Sequence, residues 1–152
     1  RNVILRARIE CLGRPLPRTD DGGFRVQISR TTRTSLPRVV ADTETLLAAT
    51  GMDATGAVWN LTPARRDLDS NIIALPPGGT IERHDGPALD VLLVVLQGSG
   101  TLETEGDDVP LRTGEVVWLP QRSRRRFTAG TDGLRYLTVH HRKPTLNITA
   151  AP

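Results

Sequence analysis

PPGGTIERHDGPALDVLLVVLQGSGTL, residues 76–102, decides the fold. The run from Val91 to Leu96 is purely aliphatic, bounded by Asp90 on one side and by Gly98 and Gly100 on the other. A short apolar run between turn residues suits a buried strand. It falls far short of the roughly 20 residues that cross a bilayer. Gly78 and Gly79, after two prolines, permit the positive-φ turn that brings a strand back into its sheet. Gly98 and Gly100 flank an expected tight hairpin or bulge. The same punctuation recurs in LRTGEVVWLPQRSRRRFTAG, residues 111–130. There Gly114 makes the turn, and Pro120 ends a strand because it has no N–H to give to a ladder.

Short strands continue on both sides of these two stretches. GAVWNL and SNIIAL come before, GTLETEG and DVPLRTG lie between, and LRYLTVHH follows. Strands that recur at such short spacing with Gly and Pro between them predict an all-β sandwich or barrel. Upstream, ADTETLLAATG predicts one short helix, capped by Asp42 or Thr43 and stopped by a left-handed Gly51. Residues 1–38 read differently, with many Arg and Thr and a DDGG turn signal. They are expected to form an N-terminal extension, either an arm in which Val3 to Ile9 and Phe24 to Ser29 alternate like strands, or a poorly ordered segment. The expected organisation is thus an arm over 1–38, a single domain over 39–148 with its core in 55–142, and a tail over 149–152.

The bulk composition bounds the function. The chain has 152 residues, 38% hydrophobic, 3% aromatic and 24% charged, the profile of a globular domain with an aliphatic core. Twenty Lys and Arg against 17 acids leave a net charge of +3, too small by itself to call for nucleic acid. The lone Cys11 excludes an internal disulfide and a cysteine zinc cluster. With no charged-then-apolar leader at the start, the expected location is cytoplasmic. Neither a G-x-S-x-G elbow nor a Walker-type phosphate loop is present.

The order of glycines and prolines in 76–102 and 111–130 resembles the cupin superfamily, in particular bacterial cupin-2 proteins of the jelly-roll type. The resemblance implies a double-stranded β-helix, a jelly-roll barrel, over about residues 55–142. The family's first motif is Gly, five residues, His-x-His, three or four residues, Glu, six residues, Gly. Gly78, His84 and Gly98 match it, whereas the second His slot falls on Gly86 and the Glu slot on Val91, with Asp90 just before it. The second motif is Gly, five residues, Pro-x-Gly, two residues, His, three residues, Asn. Gly114 and Pro120 match, while the second Gly falls on Arg122, the His slot on Arg125 and the Asn slot on Ala129. The turn skeleton is therefore present, and the metal ligand set is reduced to His84.

Arg125 is the most informative of these positions. The resemblance points it into the barrel, where a guanidinium cannot ligate a metal and needs an anionic partner. That partner is either internal, from Asp90 or Glu82, or the carboxylate or phosphate of a ligand. Strand alternation puts Arg124 and Arg126 on one side and Arg125 and Phe127 on the other. By the same rule Asp90 points out if Val91 points in. His140 and Tyr136 share a face four residues apart and could line the same cavity as His84 and Arg125. The leading expectation is a homodimeric cupin that binds or senses a small organic anion through His84, Arg125, Tyr136 and His140, without a metal. The alternative is a metal-dependent oxygenase or isomerase holding Fe, Mn, Ni or Zn on His84, Asp90 and His140. A third reading is a non-catalytic dimeric module whose arm contacts another protein. Trp59 and Trp118 are expected in the core or at a dimer interface.

Overall fold

The computed structural model describes residues 36–142. Residues 1–35 of the expected arm, with its two strand-like pieces and Cys11, lie outside these residues, as does the expected tail. Among the described residues a single short helix, α1 (Thr43–Ala49), precedes seven strands. These are β1 (Gly56–Asn60), β2 (Leu68–Leu75), β3 (Thr80–Asp85), β4 (Val91–Glu103), β5 (Val109–Arg112), β6 (Val116–Leu119) and β7 (Arg124–His141). The helix begins as expected: Asp42 is the cap, and its Oδ1 accepts from the Thr45 N–H at 3.1 Å. It ends differently. Thr50 turns extended, with φ −85° and ψ 118°, and its hydroxyl donates to the Leu46 carbonyl at 2.8 Å. A side-chain bond thus satisfies an end carbonyl, and Gly51 is not left-handed.

All pairings are antiparallel, in the order β1-β2-β7-β4-β5, with β3 also on β7 and β6 also on β4. The two long strands are the spine of the jelly roll. The sequence punctuation suggested that DVLLVVLQG and GTLETEG were separate strands, and likewise RRRFTAG and LRYLTVHH. Each pair is one continuous strand, β4 of 13 residues and β7 of 18. Gly98 explains the merger. It takes φ +80° between two register shifts, and a Cβ there would fall 2.1 Å from the Gly133 carbonyl oxygen. The chain bends sharply at a bulge without leaving the ladder, where a hairpin would have ended the strand.

The two faces of the spine alternate as the pleat demands. Inward are Leu75, Val91, Leu93, Val95, Leu102, Leu111, Leu119, Phe127, Leu134 and Tyr136, which form the core. Burying each large aliphatic side chain contributes roughly 1.5–3 kcal/mol before the entropy of ordering is counted. The opposite face of β2 and β7 carries Ile72, Ala74 and Arg135, also buried. Arg135 Nη2 reaches from that face to the Gly51 carbonyl at 2.9 Å and tends toward the Met52 sulfur at 3.9 Å, tying the loop after α1 to the sheet. Beyond it, Leu92, Val116 and Trp118 stand exposed on the outer face of β4 and β6.

Candidate functional site

The site forms where the β3–β4 and β6–β7 loops meet. Gly86 N–H donates to the Ser123 carbonyl at 3.0 Å, and Arg122 N–H donates to the Pro87 carbonyl at 2.8 Å. Gln121 N–H donates to Asp90 Oδ1 at 2.9 Å. Arg122 holds φ +58°, the one described non-glycine residue in that region. This is the position where the family motif has its second Gly, so the turn keeps its shape although the residue has changed.

From this loop Arg125 enters the barrel wall as the second residue of β7. Its neighbour Phe127 is buried on the same face, and Arg124 and Arg126 point outward, as alternation requires. The outer pair meets acids across the sheet. Arg124 lies 3.9 Å from Asp85, and Arg126 lies 3.5 Å from Glu103 and 3.9 Å from Glu82. Arg83 adds a 3.0 Å bridge to Glu103. These exposed pairs sit cross-strand and contribute little stability, but they offset the positive charge of the RRR run.

Arg125 has no such partner. It is 6% exposed and makes no ion pair among the described residues. Both expected internal partners are engaged elsewhere: Asp90 points outward and holds the Gln121 amide, and Glu82 faces Thr80 and Arg126. The Nη1 of Arg125 donates to Ser123 Oγ at 3.0 Å, and its Nε has no hydrogen-bond partner. Burial lowers its pKa from the usual guanidinium value, while nearby Tyr136 acts in the opposite sense. Tyr136 is itself buried and stacks on Phe127, with ring centroids 5.3 Å apart and planes 10° apart. Burial pushes its phenol well above the ordinary value, and Arg125 pulls it part of the way back. The electrostatic neighbour of the guanidinium is therefore a protonated, neutral phenol.

A glycine makes room for this arrangement. A Cβ on Gly86 would lie 2.9 Å from Nη1, 3.0 Å from Cζ and 3.0 Å from Nη2 of Arg125. Three nearly equal distances mean that Gly86 packs on the flat face of the guanidinium. The slot that would offer a second imidazole is thus occupied by the arginine of the other motif. Val91 fills the carboxylate slot with an inward, buried side chain. One imidazole beside a fixed cation, with two slots lacking donors, is not a donor set for a divalent metal. Among the described residues, no three or more His, Cys, Asp or Glu side chains gather as a metal site. His84, Asp90 and His140 are accordingly not brought together.

The expected ligand-binding residues part company here. His84 pairs directly across from Arg125 in the β3–β7 ladder but is exposed. Its Nδ1 lies 2.8 Å from the Glu82 carbonyl, which can only accept, so Nδ1 carries the proton. His140 stands at the far end of β7, opposite Val91 and Asp69, with Nδ1 2.9 Å from the His141 carbonyl. Tyr136 belongs to the core. Of the four, only Arg125 lines the cavity that opens here, which has a volume of about 320 Å³. Its walls are Leu102, Val109, Val117 and Leu119, with Ser123 and Arg125 at one side. Thr104, Glu105 and Trp118 form its rim. Trp118 is 64% exposed, neither core nor enclosed, whereas Trp59 is half-buried in β1. The sequence signal for these walls was the alternation of β5 and β6, which sends Val109, Val117 and Leu119 inward.

Residues 71–140 match the Cupin domain family model. No curated protein matches the chain. Solved structures do. A cupin-2 domain containing protein from Shewanella frigidimarina superposes with a TM-score of 0.54 at 13% identity, over 68% of this chain and 95% of its own. A cupin 2 conserved barrel domain protein from Rhodopseudomonas palustris gives 0.51 at 16% identity, over 56% of this chain and 59% of its own. The Cnp3 cupin domain of Schizosaccharomyces pombe gives 0.50 at 13%, again over 56% and 59%. At such identities the likeness speaks for the fold alone. With the barrel, the turn skeleton and the family model in agreement, residues 71–140 form a cupin domain.

Proposed function

We propose that this cupin binds or senses a small organic anion, with Arg125 as the anchor. The observation that carries the reading is a guanidinium that is almost wholly buried, lacks a carboxylate partner among the described residues and stands on the wall of a cavity. An unpaired buried charge is costly, and an incoming anion relieves that cost. Ser123 supports the reading, because its hydroxyl donates to the Pro120 carbonyl at 2.8 Å and accepts from Nη1, which fixes the guanidinium's orientation before any ligand arrives. The metal-dependent alternative on His84, Asp90 and His140 draws no support from the geometry.

A calorimetric screen of carboxylates and phosphorylated metabolites tests the proposal. The best-bound anion is expected to lose affinity about 100-fold on Arg125→Met, the scale for removing one charge-assisted bidentate contact. Unchanged affinity in that variant would sink the reading.

A further inference from the structure

We infer that the anion is a monocarboxylate carried on an apolar body; this rests on the reading of Arg125 as the anchor and narrows it. Charge comes first. The cavity holds one buried cation, and the acid on its rim, Glu105, opposes a second negative charge on the ligand. Arg124 also reaches the rim, but it is exposed and faces Asp85. A phosphomonoester or dicarboxylate would therefore bring in more charge than the site can balance.

Hydrogen bonding comes next. Nη1 is engaged by Ser123, and Gly86 covers the guanidinium plane. The remaining Nε–Nη2 edge carries no hydrogen bond among the described residues, and Nε is left without a partner. Nε is enclosed, so Nη2 is the nitrogen left to meet an anion, and its N–H groups suit a single carboxylate. The walls then decide the rest of the molecule. Leu102, Val109, Val117 and Leu119 offer methyl groups and no donors, so the body that follows the carboxylate is hydrocarbon-like. A cavity of about 320 Å³ is at the small end of ligand sites and suits a short aliphatic or single-ring acid.

Titration of the intact protein with butyrate, hexanoate, octanoate, succinate, inorganic phosphate and hexanol tests this, followed by the emission of Trp118 in a Trp59→Phe background and by calorimetry. Affinity is expected to rise about fourfold per added methylene until the cavity is full. It should fall about 100-fold on Arg125→Met, and about tenfold for octanoate but little for butyrate on Val117→Phe, which narrows the apolar end. Val117→Phe also carries the test if the arginine variant does not fold. Phosphate or succinate bound as tightly as hexanoate, and still dependent on Arg125, overturns the monocarboxylate and leaves the anion anchor standing. Hexanol bound as tightly as hexanoate, unaffected by Arg125→Met, overturns both. Failure of every probe to bind at millimolar concentration overturns the monocarboxylate, and the broader anion screen then judges the anchor alone.

Discussion

Two buried arginines stand on β7, ten positions apart, and they are arranged for opposite ends. Arg135, 2% exposed, reaches across the outer face to the Gly51 carbonyl and tethers a loop distant in sequence. Arg125, 6% exposed, faces the barrel interior and bonds only to a hydroxyl two residues away. Neither has an ion pair among the described residues, and both leave Nε unpartnered. The difference lies in what is adjacent. One is closed over by its own chain, and the other opens on a cavity with apolar walls. Burial of a charge alone does not distinguish a structural tie from a binding group; the space beside it does.

Substitution of each arginine by methionine, which keeps most of the volume, should separate the two roles. Arg125→Met is expected to cost ligand affinity about 100-fold, while the ligand-free protein keeps or gains up to about 1 kcal/mol, since an unpaired buried charge is gone. A loss of several kcal/mol in the ligand-free protein, read by urea unfolding, would place Arg125 with Arg135. Arg135→Met should do the reverse. Losing a charged donor to a carbonyl in a packed face lowers stability by about 1–3 kcal/mol, with affinity changed less than about twofold.

Gly86→Ala sharpens the contrast further. Its Cβ meets the far end of the Arg125 side chain, which can shift, so affinity is expected to drop about fivefold while stability changes by less than about 1 kcal/mol. A crystal structure of that variant should show the guanidinium displaced. The smallest effect belongs to Arg122→Gly at the left-handed turn. Relief of about 1 kcal/mol of strain is opposed by about 0.5–1 kcal/mol of added chain entropy, leaving a gain of at most about 0.5 kcal/mol in thermal unfolding and unaltered binding.

Much of the barrel was legible in local signals. The alternation around Val91 put Asp90 and Val91 on opposite faces, and the skeleton of Gly78, Gly114 and Pro120 falls at turns and strand ends. The inward direction of Arg125 was implied by the resemblance to the cupin motif, and alternation added only that Phe127 shares its face. Strand continuity through Gly98 was not legible, because a glycine in a bulge and a glycine in a hairpin leave the same mark in the chain. Two parts of the site were hidden for a similar reason. Gly86 matters through the atoms it lacks, and only the neighbouring guanidinium reveals the need for them. The walls from β5, β6 and the Thr104–Asp108 turn are brought to Arg125 by pairing with β4, a non-local arrangement that no spacing rule encodes. The fates of Asp90 and Glu82 were likewise decided across loops, by the Gln121 amide and by Arg126.

The crossing hydrogen bonds between the two loops have a consequence for traffic. Gly86, Gln121 and Arg122 each give an amide proton to the opposite loop, so that side of the opening parts only if all three separate together. The tip of the β4–β5 hairpin is held by bonds within its own turn, from Thr104 to Asp107 and from Gly106 to Thr104. The stitched loops are therefore one fixed jamb of the opening, with the hairpin tip that carries Glu105 on its rim.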